Sequence, residues 1–203
     1  MIITVAHDKG GVGKTTLAWN MIFVLEQMGK SVKVVDLDAK HTIFHLNNIR
    51  KDEKRAGIAI IAPRSVNELI SLCESYQEDI LLMDVGGYDN DLTRNAIKLA
   101  DKILTPLNDS ATEIIGFATF QSILRKIGMP HIHVVFNRVH PMRKNFDDII
   151  NDLSMYENKT FTKTVIRASN KAYQTPLKKG GSVVDTNAQH HIDAIKELCH
   201  ELI

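Results

Sequence analysis

The run Lys9-Gly10-Gly11-Val12-Gly13-Lys14-Thr15-Thr16 follows directly on the apolar stretch Ile2-Ile3-Thr4-Val5-Ala6 and leads into a helix-period segment. These residue types at this spacing suit the binding of a phosphate chain. Successive backbone N–H groups in a glycine-rich turn form a concave nest for anions, and the following helix aims its positive end at the same point. Gly10, Gly11 and Gly13 let phosphate oxygens approach the main chain with no Cβ in the way. Lys14 would reach the β- and γ-phosphates, and the Thr15 hydroxyl would ligate Mg²⁺. The usual pattern opens with a glycine five residues before Gly13; here that position is Asp8, followed by a second cation, Lys9. Leaving the loop near its start, Lys9 is better placed to project toward a nucleotide on a facing subunit than to fold back on its own.

Further candidates stand at the ends of strand-like runs. Val34-Val35-Asp36-Leu37-Asp38 sets two aspartates one strand period apart, on one side of the chain. Ile80-Leu81-Leu82-Met83-Asp84 is an apolar run closed by a carboxylate, which reads as a metal-holding aspartate after a phosphate loop. Asn137, followed by Arg138, ends another such run, where an asparagine commonly forms a turn and its amide can both donate and accept hydrogen bonds.

The elements that must position these residues alternate along the chain. Strands are expected at 2–6, 31–36, 57–62, 80–85, 101–106, 131–137 and 160–165. Helices are expected at 14–28, 66–76, 89–99, 112–127, 142–153 and 189–202. Runs rich in Val and Ile predict parallel strands buried on both faces. The pattern predicts a doubly wound α/β fold with a mostly parallel sheet, in a single domain over 1–203, and such sheets bind ligands at the carboxyl ends of their strands.

Lys-Gly-Gly-Val-Gly-Lys-Thr-Thr resembles the deviant Walker A motif of the ParA/MinD family of dimeric ATPases. The resemblance implies a homodimer that sandwiches ATP with Mg²⁺, Lys9 of each subunit engaging the other's phosphates. The cofactor site it implies comprises Gly10, Gly11, Val12, Gly13, Lys14, Thr15 and Thr16, with Asn137 and Arg138 toward the adenine. It casts Thr15, Asp36 and Asp84 as metal residues. Asp38 becomes the residue that orients or activates the attacking water, and Gly86 or Gly87 offers a backbone N–H to the γ-phosphate. The family often continues the Asp-x-Asp with Pro-Gln, and this chain has Ala39-Lys40.

The formal net charge is only +1, but from Asn158 to Val184 there is no acidic residue, while Lys159, Lys163, Arg167, Lys171, Lys178 and Lys179 fall inside. Such a face can neutralise phosphates without reading bases. Arg167 and Lys171 are expected one helical turn apart; with Lys178 and Lys179 they are the candidate nucleic-acid residues, and Arg143 and Lys144 add to the charge. The family resemblance makes nonspecific DNA the partner, with a centromere-binding ParB-type protein or a small analogue stimulating hydrolysis. The alternative is an ATP-switched positioning protein for a protein cargo or a membrane-linked site, and a third possibility is a small-molecule synthetase of related fold.

Ile192, Ile195, Cys199 and Leu202 form a stripe on the last helix, but Asp193, Glu197 and Glu201 oppose a lone Lys196. Anionic lipid would repel that face, so the stripe is expected to pack on the domain rather than insert into a membrane. The nine histidines lack the companions of a zinc site, and there is no Cys-x-x-Cys. With no apolar run near the ~20 residues of a bilayer span, a cytoplasmic protein, nucleoid-associated when loaded with ATP, is expected.

Overall fold

A computed structural model describes residues 1–203, Ala111 only as part of its helix. The chain runs β1 (Ile2–Val5), α1 (Lys14–Gln27), β2 (Val32–Leu37), α2 (Thr42–Asp52), β3 (Ile60–Ile61) and α3 (Val66–Ser75). It continues through β4 (Ile80–Val85), α4 (Asp91–Lys98), β5 (Lys102–Leu107), α5 (Ala111–Lys126), β6 (Ile132–Val139), α6 (Asp147–Asp152) and β7 (Lys159–Arg167). A π-helical turn (Asn170–Gln174), α7 (Thr175–Leu177), a 3-10 turn (Val183–Asp185) and α8 (Gln189–Leu202) complete it.

All strand pairings are parallel, in the order β3-β2-β4-β1-β5-β6-β7. Strand alternation divides the apolar residues between two layers. Ile3, Val5, Val34, Ile80 and Leu82 join α1 and α8 in one core. Ile2, Val35, Leu81, Met83 and Val85 join α3, α4, α5 and α6 in the other. The expected doubly wound sheet is therefore present. Helix α1 is buried nearly all round, with Trp19, Met21, Ile22 and Leu25 inaccessible, as suits a helix covered on more than one side. The stripe on α8 packs inward as expected, burying Ile195, Cys199 and Leu202 together with Leu198.

Several elements differ from the sequence expectation. Helix α2 has no counterpart among the expected elements. Its first turn is tied down from afar, the Phe44 N–H donating to Asp36 Oδ2 at 3.3 Å. Helix α6 is far shorter than 142–153, because Arg143 is drawn off to Asp109 (2.9 Å) and Asp148 (2.6 Å) and also donates to Asn145 O. Edge strand β3 keeps two residues of the expected six. At β7 the register with β6 shifts, and the N–H groups of Lys163 and Thr164 are taken up by the Glu201 carboxylate of α8 at 2.7 and 2.8 Å. Among the described residues, no helix is long and apolar enough to cross a membrane.

Candidate functional site

The phosphate-loop candidates lie between β1, the central strand, and α1. Gly13 caps α1 at φ 94°, a left-handed conformation that glycine adopts without strain. A Cβ there would also strike Asn137 Nδ2. Helices α3 and α4 cap themselves, Ser65 Oγ accepting from Glu68 N and Asn90 Oδ1 from Thr93 N, and each has an acid in its first turn. Helix α1 has neither a capping side chain nor an acid in its first turn. The positive end of a long buried helix is thus left open to an external anion. It faces a cleft of about 500 Å³ lined by Gly10, Gly11, Gly13, Lys14, Thr15 and Thr16 on one side and Asp38, Lys40 and Gly87 on the other.

Lys14 is buried, its ammonium folded onto the loop and donating to Lys9 O at 2.8 Å. Desolvation lowers its pKa, against the opposing pull of Asp84 and Asp38. Asp84, next to last in β4, is in register with both Val5 of β1 and Asp36 of β2, so the two carboxylates stand side by side. It is fully buried, and neither of its oxygens makes a hydrogen bond of normal geometry. Burial pushes its pKa up to about 7, the nearby Thr15 hydroxyl being the largest opposing influence and Asp36 adding to the rise. An unsatisfied buried carboxylate beside a threonine hydroxyl and a lysine is what a hard cation would complete, so Thr15 and Asp84 fit Mg²⁺.

Asp36 is also buried, but its oxygens already accept from Asp38 N (3.1 Å) and Phe44 N (3.3 Å). It orients the turn after β2 and the start of α2. Burial raises its pKa, and those two backbone bonds oppose the rise. Asp38 lies one residue beyond the strand, its Oδ1 accepting from Lys40 N at 3.0 Å. It rests against Gly86, where a Cβ would meet Asp38 Oδ1 at 3.4 Å. Gly87 in turn abuts the carbonyl of Asp8, so the turns after β2 and β4 both close on the loop.

Lys9 does not project from the chain. Its stem lies over Gly116 of α5, and its ammonium donates to Thr112 Oγ1 at 2.9 Å and pairs with Glu113 Oε1 at 3.2 Å. Asn137 is buried and donates to Val12 O at 2.8 Å, while Arg138 donates to Gly11 O. Both brace the loop. They also line a second cavity of about 130 Å³ that shares Thr16, Arg138 and Gln174 with the cleft and is floored by Leu17, Ile166 and Ile195. An amide NH₂ has two hydrogens, so Asn137 keeps one after serving Val12.

Two neighbours escaped the sequence reading. His7 is buried at the end of β1, its Nδ1 accepting from Lys9 N at 3.0 Å and its ring stacked on Phe120 at 5.5 Å. Asn108, after β5, donates to the carbonyls of Asn137 (3.2 Å) and Arg138 (2.9 Å). Only their positions at strand ends hinted at either.

The basic candidates separate. Arg167 ends β7, whereas Lys171 lies in the π-helical turn, so they are not one helical turn apart. Arg167 donates to the carbonyls of His140 and Arg143, with its guanidinium above the Phe146 ring. Arg143 is held by Asp109 and Asp148. Arg143 is thus charge-paired within the chain, whereas Arg167 is held by carbonyls and keeps its charge. Lys171, Lys178 and Lys179 are exposed.

A family model described as the CobQ/CobB/MinD/ParA nucleotide binding domain matches residues 3–183. The chain is 28% identical over 156 residues to the chromosome-partitioning ATPase Soj of Thermus thermophilus, the match covering 62% of this chain and 61% of that protein. It thus spans less than two thirds of that relative's length. A putative plasmid partition protein from Borrelia burgdorferi, bound to AMPPNP, superposes with a TM-score of 0.70 at 16% identity over 98% of each chain. The MinD cell division protein of Aquifex aeolicus superposes with a TM-score of 0.71 at 22% identity, over 100% of this chain and 98% of that one. The two structures share the fold.

Proposed function

This chain belongs to the CobQ/CobB/MinD/ParA family of nucleotide-binding domains, and from that premise we propose that it is an ATP-hydrolysing DNA-partition switch acting as a homodimer. Residues 1–203 serve as one P-loop unit in this reading. The loop N–H groups and Lys14 bind the phosphate chain, and Asn137 presents its remaining amide hydrogen toward the base. Thr15 and Asp84 hold Mg²⁺, with Asp36 behind them ordering the turn. Bound Mg²⁺ supplies charge neutralisation to the phosphates. Asp38 accepts a hydrogen bond from the attacking water and fixes its direction. Lys9 leaves Glu113 to meet the partner's phosphates, which makes dimerisation depend on ATP. Exposed lysines after β7 then hold DNA, and a centromere-binding protein stimulates hydrolysis and release.

The observation that carries the nucleotide reading is the uncapped end of α1 facing buried Lys14 and unsatisfied Asp84 across one cleft. The DNA step draws support from the likeness to Soj and from the exposed lysines. Titrating mixed-sequence duplex DNA against the protein, with and without ATP over a salt series, tests it. Binding that needs ATP and fades steeply with salt is expected. ATP-dependent dimerisation without any DNA affinity would point instead to an ATP-switched positioner of protein cargo.

A further inference from the structure

The acid-free stretch after β7 folds back over the opposite end of α2. Helix α7 stops in a turn where Gly180 N donates to Leu177 O at 3.0 Å and Gly181 N to Pro176 O at 2.9 Å, with Gly180 at φ 58°. A Cβ on Gly180 would collide with the Arg50 backbone, so the two segments touch along their main chains. Arg50 fastens them. It is buried over the Phe23 ring at 4.1 Å and donates to Gly180 O at 3.1 Å, Asp185 Oδ2 at 3.0 Å and Ala56 O at 2.8 Å. Trp19 Nε1 holds Gly181 O from below at 2.9 Å.

This anchoring sets the charge of the surface above it. Asp185, the first acid after the basic stretch, is already paired with Arg50 and with Arg55 at 3.5 Å. Lys178 and Lys179 stand exposed on the turn, and Lys51 and Lys54 stand exposed at the end of α2. None of the four makes an ion pair among the described residues. The exposed acids nearby are Asp52 and Glu53 on the same helix end and Glu26 beside Arg50, fewer than the four lysines with Arg50 and Arg55, so positive charge prevails.

We propose that Lys51 and Lys54 of α2 join Lys178 and Lys179 in one phosphate-binding surface for double-stranded DNA. The surface is built from segments 130 residues apart in sequence and riveted by Arg50. Flexible, exposed ammonium groups suit neutralisation of a phosphodiester backbone without base readout. The inference rests on the DNA-partition reading and adds a second segment to its contact surface.

The test is fluorescence anisotropy of ATP-loaded protein on a mixed-sequence duplex across a salt series. It compares wild type with the doubles Lys51→Gln/Lys54→Gln and Lys178→Gln/Lys179→Gln, each checked for native circular dichroism. Both doubles are expected to flatten the slope of log K against log salt by about 2, near 0.9 for each phosphate that is no longer neutralised. If only the second double flattens the slope, the α2 lysines lie outside the surface and the inference falls while the DNA reading stands. If wild type fails to bind DNA with ATP, that reading falls and takes the inference with it. If the Lys51/Lys54 double loses binding to phosphatidylglycerol vesicles and keeps its DNA slope, the α2 surface belongs to lipid and the inference is overturned.

Discussion

Lys9 Nζ lies 3.2 Å from Glu113 Oε1, so the extra lysine of the phosphate loop is held by helix α5 of its own chain. The Glu113 side chain is only 11% exposed, and its Oε2 is buried with no partner. Moving Lys9 to a second subunit would therefore leave a largely buried carboxylate behind, at a cost that a nearby triphosphate must offset.

Glu113→Gln should release this hold while keeping the side chain's shape. A pair whose lysine is partly in solvent is worth about 1 kcal/mol, and two such pairs break in each dimer, so ATP-dependent dimerisation should move to roughly 30-fold lower protein concentration. Sedimentation velocity with a nonhydrolysable ATP analogue reads this directly. An unchanged or weaker dimer would remove Glu113 as a brake.

Asp38→Ala should separate binding from turnover. Asp38 rests against Gly86 on the wall of the cleft opposite the loop, so nucleotide affinity should change little. Hydrolysis should fall about 10²-fold or more, as for loss of a group that positions a water. A fluorescent ATP analogue measures the first and phosphate release the second; equal losses in both would contradict the assignment.

Asp84 gives the apo protein a pH signature. Its pKa rises from 3.8 to about 7 on folding, so the folded state holds more protons between those values. Its contribution to stability is fully present below about pH 4, shrinks as pH rises, and is lost above about pH 7. Asp84→Asn removes that dependence. Urea midpoints should show the variant gaining on wild type between pH 4.5 and 7.5. The gain should reach up to a few kcal/mol, since each tenfold change in proton affinity is worth about 1.4 kcal/mol. A constant difference across that range would mean that Asp84 is ionised in the apo state.

Asn137→Ala distinguishes a loop brace from a base reader. Because Asn137 Nδ2 donates to Val12 O in a buried setting, its loss should loosen the loop and weaken both ATP and tripolyphosphate, ATP by more because a base contact goes with it. The expected loss is on the order of tenfold for a buried hydrogen bond. Isothermal titration with both ligands would show it; a loss confined to ATP would leave only the base-reading role.

Strand β4 and helix α8 match their expected limits, Ile80–Val85 and Gln189–Leu202, because each is a strong local pattern between clear stops. Helix α2 was not legible. His41 before it adopts a left-handed conformation and gives no capping bond, and the order comes instead from the Asp36 carboxylate. The α6 region looked helical from Met142, but bonds from Arg143 to Asp109 and Asn145 O hold the chain away from that path. The basic stretch was legible as charge and not as surface, since nothing local tells that Arg167 is held by the His140 and Arg143 carbonyls.

The order of residues is enough to specify the phosphate-loop chemistry, because an anion nest at a helix start is made of contiguous residues whose backbone conformations are set locally. It also specifies the parallel doubly wound architecture, through apolar runs that alternate with helical patterns. What surrounds the loop is decided only in three dimensions. The register of β2 against β4 sets Asp36 beside Asp84, and the end of β6 brings Asn137 under Val12. Packing of α5 across β1 gives Lys9 a carboxylate partner in its own chain, and Arg50 joins two lysine pairs from distant segments. All of these pairings link residues far apart in the chain. Strand register and helix packing, which are global properties of the sheet, determine whether such residues meet.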